Sequence, residues 1–186
     1  MRGMHRMAPP KLSAEQVAQV SGLVFQYITA QRERFSPQAV PLDAAQRAAM
    51  AGFFLPPVLD AARVIALHGI RVENPPFYPM LAGMGFQNLP DFSQMAAITF
   101  CDVVVSHVPF TGGLLFHELV HVEQYRQLGI PRFSGLYVRG FLSGGGYDGI
   151  PLEVNAYALG RVFEGNPRQQ FSVAEEVARW VRENRF

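Results

Sequence analysis

The sequence contains very little cysteine: Cys101 is the only one in 186 residues. No intrachain disulfide can therefore form, and structural zinc sites built on several thiolates are excluded. Any metal that this chain binds must be held by histidine and carboxylate side chains.

Lysine and long apolar runs are also scarce. Lys11 is the only lysine, the arginines are scattered, and the formal net charge is +1. Nothing in this charge pattern indicates a nucleic-acid partner or a polybasic membrane-binding surface. The start of the chain is positively charged but lacks an apolar segment behind it, and no run reaches the length of a membrane span. We therefore expect a cytoplasmic protein that binds neither nucleic acid nor membrane.

The motif that stands out is His117-Glu118-Leu119-Val120-His121, which reads H-E-x-x-H. On an α-helix, two histidines four residues apart lie on the same face and can hold one Zn²⁺. The glutamate after the first histidine flanks such a site and can take a proton from a water held there. In the alternative interpretation the two histidines bind backbone carbonyls, and Glu118 lies at a solvent-exposed edge.

The surrounding residues predict a buried helix for this motif. Thr111 can act as its N-cap, and Gly129 followed by Ile130 and Pro131 is a typical stop signal. Between these ends apolar residues occupy most of the helical circumference, which is typical of a buried helix. Because polar groups without partners are costly to bury, burial favours a ligand role for the histidines.

The other elements add up to an α+β single domain, mainly helical, with a small sheet. Segment 1–12 is expected to be a loose arm, and 74–86 and 143–149 are expected to be irregular connections. Segment 96–108 is the strongest predicted strand, and a free edge on it could pair with an extended peptide. The remaining predictions are a strand at 62–72 and helices at 13–34, 42–54, 132–142, 151–164 and 172–185.

A catalytic zinc usually has three protein ligands, so the motif requires one more. A third histidine at metzincin spacing is excluded, because Gln124 and Gln127 occupy the relevant positions. No histidine follows His121, so a later ligand must be a carboxylate. Upstream, the imidazole candidates are His5, His68 and His107.

Glu153 is the favoured third ligand among the acidic residues. It falls in the first turn of the predicted helix at 151–164, where packing can hold its side chain in place. Glu123 is expected to face away from the histidines, and Asp148 lies in a glycine-rich loop that positions a ligand poorly. The competing interpretation is that Glu153 only complements the dipole at a helix N-terminus.

These motifs resemble the gluzincin clan of zinc metallopeptidases. The resemblance rests on His117-Glu-Leu-Val-His121 followed 32 residues later by Glu153-Val-Asn-Ala156, and it covers roughly residues 62–164. The sequence is similar to small bacterial single-domain gluzincin-like proteins, including the peptidase-like core domain associated with extracellular contractile injection systems. The resemblance implies a zincin-like fold with a metallopeptidase core at 62–164.

The resemblance also implies a set of functional residues. His117, His121 and Glu153 would hold one Zn²⁺ per chain, and Glu118 would be the general base in the hydrolysis of a peptide or protein substrate. Well-studied gluzincins often carry an aspartate four residues after the ligand glutamate to orient a histidine, but here that residue is Tyr157. The partners that orient the histidines are therefore unassigned.

Three side chains could donate a hydrogen bond to the oxyanion of the reaction: in order of preference, Tyr157, Tyr147 and His107. Two functions compete with peptide hydrolysis. One is a zinc-binding but non-proteolytic interaction or assembly module that retains the site, although such a module has no use for Glu118 as a base. The other is an α+β interaction domain without metal.

Overall fold

The computed structural model describes residues 11–186, so most of the predicted arm at 1–12, including His5, lies outside the described residues. Within that range the chain forms one α+β domain, mainly helical, with a small sheet, as predicted. None of its helices has the length and apolarity that a bilayer span requires. The helices are α1 Ala14–Phe35, α2 Ala44–Met50, α3 Pro56–Ala61, α4 Tyr78–Gly83, α5 Gly112–Gly140, α6 Pro151–Gly165 and α7 Val173–Arg182.

Helix α5 lies at the centre of the domain and packs against α1, α6, α7 and the sheet. Its side chains Phe116, Leu119 and Val120 are fully buried. The ring of Phe116 stacks on that of Phe163 from α6, with the centroids 4.4 Å apart. This apolar contact holds α5 and α6 side by side, which matters because the two helices carry the residues of the predicted metal site.

The sheet is small and mixed, with strand order β1-β2-β4-β3. The strands are β1 Val40–Pro41, β2 Arg63–Ala66, β3 Ala97–Phe100 and β4 Val103–Ser106. The β2 and β4 strands run parallel, whereas β1 and β3 are antiparallel to their neighbours. Strand β3 is therefore an edge strand, and it packs against α5.

The prediction of one long strand at 96–108 is wrong, because the segment folds into the β3–β4 hairpin. Its turn places Cys101 at a φ of 63°, a left-handed conformation that the run of β-branched residues does not reveal. The guanidinium of Arg32 binds Asp102 in the same turn through two hydrogen bonds, of 2.5 and 2.9 Å. This ion pair connects the hairpin to α1 over a separation of 70 residues.

Most predicted helices are present, but several boundaries differ. A capping box between Ser13 and Gln16 begins α1, and α6 and α7 confirm the two C-terminal helices. The helix predicted at 42–54 ends at Met50, and a separate helix, α3, begins at Pro56, because proline fits the first turn of a helix. Three other segments also differ from the prediction. The strand predicted at 62–72 ends at Ala66, the predicted connection at 74–86 contains α4, and the predicted loop at 143–149 contains short helical turns.

Gly129 interrupts α5 at the predicted stop, but the helix resumes at once. Its φ of 71° and ψ of 160° are non-helical, and this region of backbone space is essentially restricted to glycine. The helical segment after Gly129 corresponds to the helix predicted at 132–142. The break redirects the chain, so that Phe133 stacks on Tyr125 with the ring centroids 3.7 Å apart.

Replacement of Gly129 by alanine is expected to destabilise the fold by about 1–3 kcal/mol, because a Cβ strains this backbone conformation. The matched control is Gly22→Ala in the middle of α1, where an added Cβ meets nothing within 4 Å. That change should stabilise the protein by about 0.5–1 kcal/mol through helix propensity. Urea unfolding of both variants measures the difference, and equal stabilities would contradict the proposed strain at Gly129.

Candidate metal centre

The two histidines of the H-E-x-x-H motif lie side by side on one face of α5, as predicted. The helix begins after Thr111, whose hydroxyl accepts a hydrogen bond from the N–H of Leu114. One turn later the Nε2 atoms of His117 and His121 are 3.2 Å apart. His121 is buried and His117 is partly buried, so the pair faces the interior beside a solvent-accessible cleft.

Glu153 reaches the histidines from the first turn of α6. Its Oε2 atom lies 3.5 Å from Nε2 of His117 and 3.3 Å from Nε2 of His121. The start of α6 approaches α5 closely at Gly140, where a Cβ would lie only 2.5 Å from Cδ of Pro151. Glycine at that position therefore allows the approach that brings Glu153 to the histidine pair.

The three donor atoms have the separations that a zinc ion requires. Ligand atoms about 2.0–2.2 Å from a tetrahedral Zn²⁺ lie about 3.3–3.6 Å from one another, and the separations here are 3.2, 3.3 and 3.5 Å. The Oε2 atom of Glu153 is buried without a hydrogen-bond donor. A buried carboxylate oxygen without a donor is costly, and a bound cation would satisfy it. The residues therefore fit a metal ion.

The charges of the group also favour a cation. Burial of His121 disfavours its protonated form, but the nearby Glu153 carboxylate outweighs that effect and raises the pKa of His121 to about 9. Burial likewise opposes ionisation of Glu153, yet the positive charge of the nearby His121 and His117 holds the pKa of this carboxyl well below its usual value. The centre therefore stabilises positive charge next to Glu153.

A hydrogen-bond network orients His121 for ligation through Nε2. The Nδ1–H group of His121 donates to Oε1 of Gln124 at 2.9 Å. The amide nitrogen of Gln124 donates to the carbonyl oxygen of Leu152 and to Oδ1 of Asn155. These two bonds leave only the oxygen of Gln124 to face the histidine, which keeps a proton on Nδ1 and makes Nε2 the nitrogen that can bind a metal once it loses its own proton.

Glu118 is buried on the flank of the histidine pair and is held by the sheet. Its Oε2 atom accepts a hydrogen bond of 2.7 Å from the hydroxyl of Thr99 in β3. The Thr99 hydroxyl also lies 3.3 Å from the backbone carbonyl of Glu118. Strand β3 therefore sets the position of the carboxylate, while the other oxygen, Oε1, has no hydrogen-bond donor among the described residues.

The three oxyanion candidates lie in different environments. The ring of Tyr157 is 4.5 Å from that of His117, and its side chain is 46% exposed. Tyr147 lines the space in front of the triad. His107 is engaged elsewhere, because its Nδ1–H donates to the carbonyl of Met95 and its Nε2 accepts from the N–H of Val72.

The remaining ligand candidates stay outside the centre. His68 is exposed beyond the end of β2. Glu123 is buried and binds Arg126 and Gln127, so it faces away from the histidines as predicted. Among residues 11–186, His117, His121 and Glu153 form the only group of three potential ligands close enough to share a metal.

Two cavities meet at this centre. An outer cleft of about 370 Å³ contains His117, Tyr157 and Arg161, and an inner apolar cavity of about 110 Å³ contains His121 and Glu153. Glu118 and Tyr147 border both cavities. The predicted base therefore lies at the boundary between the outer cleft and an apolar interior.

Comparison of the chain with family models, with curated proteins and with solved structures found no match.

Sequence reasoning missed the residues that support the side chains of the candidate site. Gln124 lies three residues after His121, and this helical spacing could have suggested the contact. Thr99 gave no such signal, because its contact with Glu118 spans 19 residues between a strand and a helix. Asn155 was likewise hidden, since it acts only through Gln124.

Replacement of Gln124 by methionine removes the acceptor for His121 with little change in side-chain volume. We expect zinc affinity to fall about 10–100-fold, because the ring loses the hydrogen bond that orients it. Competition with a chromogenic chelator measures this affinity. The matched control is Gln127→Met, one turn further along α5, which contacts Glu123 instead of the triad. Equal affinities in both variants would exclude an orienting role for Gln124.

Proposed function

We propose that this chain is a zinc-dependent metallopeptidase with a gluzincin-like site. In this proposal His117, His121 and Glu153 hold one Zn²⁺, and Glu118 is the general base. The observation that carries the proposal is the triad itself. Its three potential ligand atoms lie 3.2 to 3.5 Å apart, and one of them is a buried carboxylate oxygen that accepts no hydrogen bond. A glutamate directly beside such a triad supports hydrolysis.

Zinc bound here would polarise the scissile carbonyl and acidify a water molecule. The chain's own part in the reaction is proton transfer, which we assign to Glu118. The Thr99 hydroxyl engages Oε2 of this carboxylate, which leaves Oε1 to accept the proton of the attacking water and to deliver it to the leaving amine. Because Glu118 borders the outer cleft, a substrate bound there would lie within its reach.

Tyr157 is the proposed donor to the oxyanion. Its ring packs beside His117 at the edge of the outer cleft, where its hydroxyl is accessible to substrate. Partial burial and the nearby carboxylate of Glu153 raise the pKa of this phenol above its usual value. The hydroxyl therefore keeps its proton at neutral pH and remains a donor, which is what a developing negative charge requires.

The substrate would lie in the outer cleft, next to β3, because Ala97 of this strand borders the cleft together with Glu118. Strand β3 pairs with β4 on one side only, but all four of its residues are buried and the carbonyl of Thr99 accepts a hydrogen bond from the hydroxyl of Tyr125. The edge is therefore covered, and the proposal places the substrate in the cleft without an added peptide strand.

The metal assignment predicts about one zinc per purified chain, with strong loss in both Glu153→Ala and His117→Ala, because each variant removes one of three ligands. Elemental analysis after dialysis measures the content. His68→Ala is the matched control, since it removes an exposed histidine outside the centre and should leave the zinc content unchanged. Absence of zinc from the parent chain, even after incubation with the ion, would overturn the metallopeptidase proposal.

The hydrolytic assignment predicts that the zinc-loaded chain cleaves members of a peptide library. Glu118→Gln should lower the rate about 10²–10⁴-fold through loss of the base, and Tyr157→Phe should lower kcat about 10²–10³-fold through loss of one oxyanion donor. Both variants should keep their zinc, because neither residue is a proposed ligand.

The control for these rates is Glu175→Gln on the exposed face of α7, which should hydrolyse peptides at the parent rate. Mass spectrometry of the digested library identifies the cleaved bonds. A chain that binds zinc but cleaves no peptide would instead support the alternative, a zinc-binding interaction or assembly module without proteolytic activity.

A further inference from the structure

The outer cleft carries an arginine beside the proposed hydrolytic residues. Among the described residues that line this cleft, Arg161 is the only basic one besides His117. It belongs to α6 and follows Tyr157 by one turn, so the two side chains lie on the same face of the helix. Glu118 borders the same cleft from α5. A guanidinium group therefore lies in the space that a substrate of the proposed reaction would occupy.

Arg161 has no carboxylate partner among residues 11–186. The nearest acidic residue along the helix is Glu164, and residues three positions apart on a helix are neighbours. Arg126 and Arg179 form ion pairs with glutamates at this spacing, whereas Arg161 and Glu164 do not form one. The arginines that form ion pairs with carboxylates within this range are Arg32, Arg47, Arg126, Arg179 and Arg185.

Glu164 lies against the start of α5 instead. Gly113 is in the first turn of that helix, and a Cβ at this glycine would overlap Oε1 of Glu164. The first turn of a helix has N–H groups without intrahelical acceptors and carries a partial positive charge, which favours a nearby carboxylate. The negative charge of Glu164 is therefore offset by α5, and the positive charge of Arg161 remains available to a ligand in the cleft.

A carboxylate is the ligand that suits this guanidinium best. The planar fork of an arginine can donate two parallel hydrogen bonds to the two oxygens of one carboxylate. The Cα atom of Arg161 follows that of Glu153 by two turns of α6, about 12 Å. An extended peptide advances about 3.3 Å per residue, so this distance corresponds to about three or four residues. A carboxylate within a few residues of the scissile bond would therefore reach Arg161.

We propose that Arg161 binds a carboxylate of the peptide substrate and thereby selects acidic peptides. Either the side chain of an aspartate or glutamate or the C-terminus of the peptide can supply this group, and both present the same two oxygens to the guanidinium. The identification of the ligand as a substrate rests on the proposed function. Carboxylate binding itself depends on Arg161 and requires neither zinc nor hydrolysis.

Binding can be measured on the zinc-free full chain, so that no carboxylate binds a metal instead and no peptide is cleaved. The probes are dansyl-labelled hexapeptides of alanine and serine that end in an amide. Each position in turn carries glutamate, and matched series carry glutamine or lysine there. One further peptide has alanine and serine alone and a free C-terminal carboxylate. Fluorescence anisotropy measures the affinity of each peptide.

Glutamate at the favoured position should bind about tenfold more tightly than glutamine there, because a charged hydrogen-bond acceptor replaces a neutral one. If the C-terminus supplies the group, the free-acid peptide should show this advantage over its amide instead. Arg161→Gln should remove the preference and leave the glutamine peptides unaffected. Arg161→Glu should reverse it, so that lysine at the same position binds more tightly than glutamine.

Two control variants separate this effect from a general change of charge. Arg168→Gln removes an exposed arginine beyond the end of α6 and should keep the full preference for glutamate. Glu164→Gln changes the charge of the same cleft in the opposite direction and should not weaken binding of the glutamate peptides. Both Arg161 variants should unfold at the parent temperature, because this side chain has no ion-pair partner to lose among the described residues.

Two results would overturn the proposal. One is equal affinity of the acidic peptides and their neutral counterparts, which includes absence of binding by all of them. The other is a preference for the carboxylate that survives Arg161→Gln, because the group would then bind elsewhere. Either result leaves the peptidase proposal to its own test, since no step here involves zinc or hydrolysis. Conversely, binding that depends on Arg161 in a chain that cleaves no peptide when loaded with zinc would keep the carboxylate site and reject the peptidase.

Discussion

The carboxylate of Glu153, buried between two imidazoles, is the interaction on which the rest of the centre depends. An isolated buried carboxylate would be strongly destabilising, so it requires positive charge at close range. His117 and His121 can provide this charge as a shared proton or as a bound metal ion. Either way α5 and α6 must meet at a defined distance, and the contact of Gly140 with Pro151 and the bond from Gln124 to Leu152 hold them there.

Helix α5 performs two tasks because Gly129 divides it. The first part presents the histidines and Glu118, and its regular 3.6-residue turn places them on adjacent faces. The part after Gly129 runs in a new direction and forms a wall of the apolar cavity, beginning with Phe133 next to His121. A single backbone conformation available to glycine therefore determines how the His117, His121 and Glu153 triad and the cavity lie relative to each other.

Local patterns predicted which side chains of the candidate site come together, but they did not predict contacts between distant segments. The helical repeat placed His117 and His121 together, and the N-terminal turn of a helix favoured Glu153, because both arguments depend only on neighbouring residues. The β3–β4 hairpin was missed because a run of β-branched residues does not reveal that the backbone of Cys101 is in the left-handed conformation. Thr99 was missed because tertiary packing alone brings it to Glu118. The contribution of α1 to the cavity was missed for the same reason, because hydrophobic periodicity indicates which face of a helix is buried but not which segment packs against it.

The environment of Glu153 also links the proposed metal site to the stability of the fold. Its Oε2 atom is buried and lies 3.3 and 3.5 Å from the Nε2 atoms of His121 and His117. Without a metal, a proton on the imidazoles offsets the carboxylate charge, and His121, whose pKa this carboxylate raises to about 9, carries it. A bound cation would replace that proton. Because the three side chains meet only in the folded chain, such a cation would stabilise the fold that binds it.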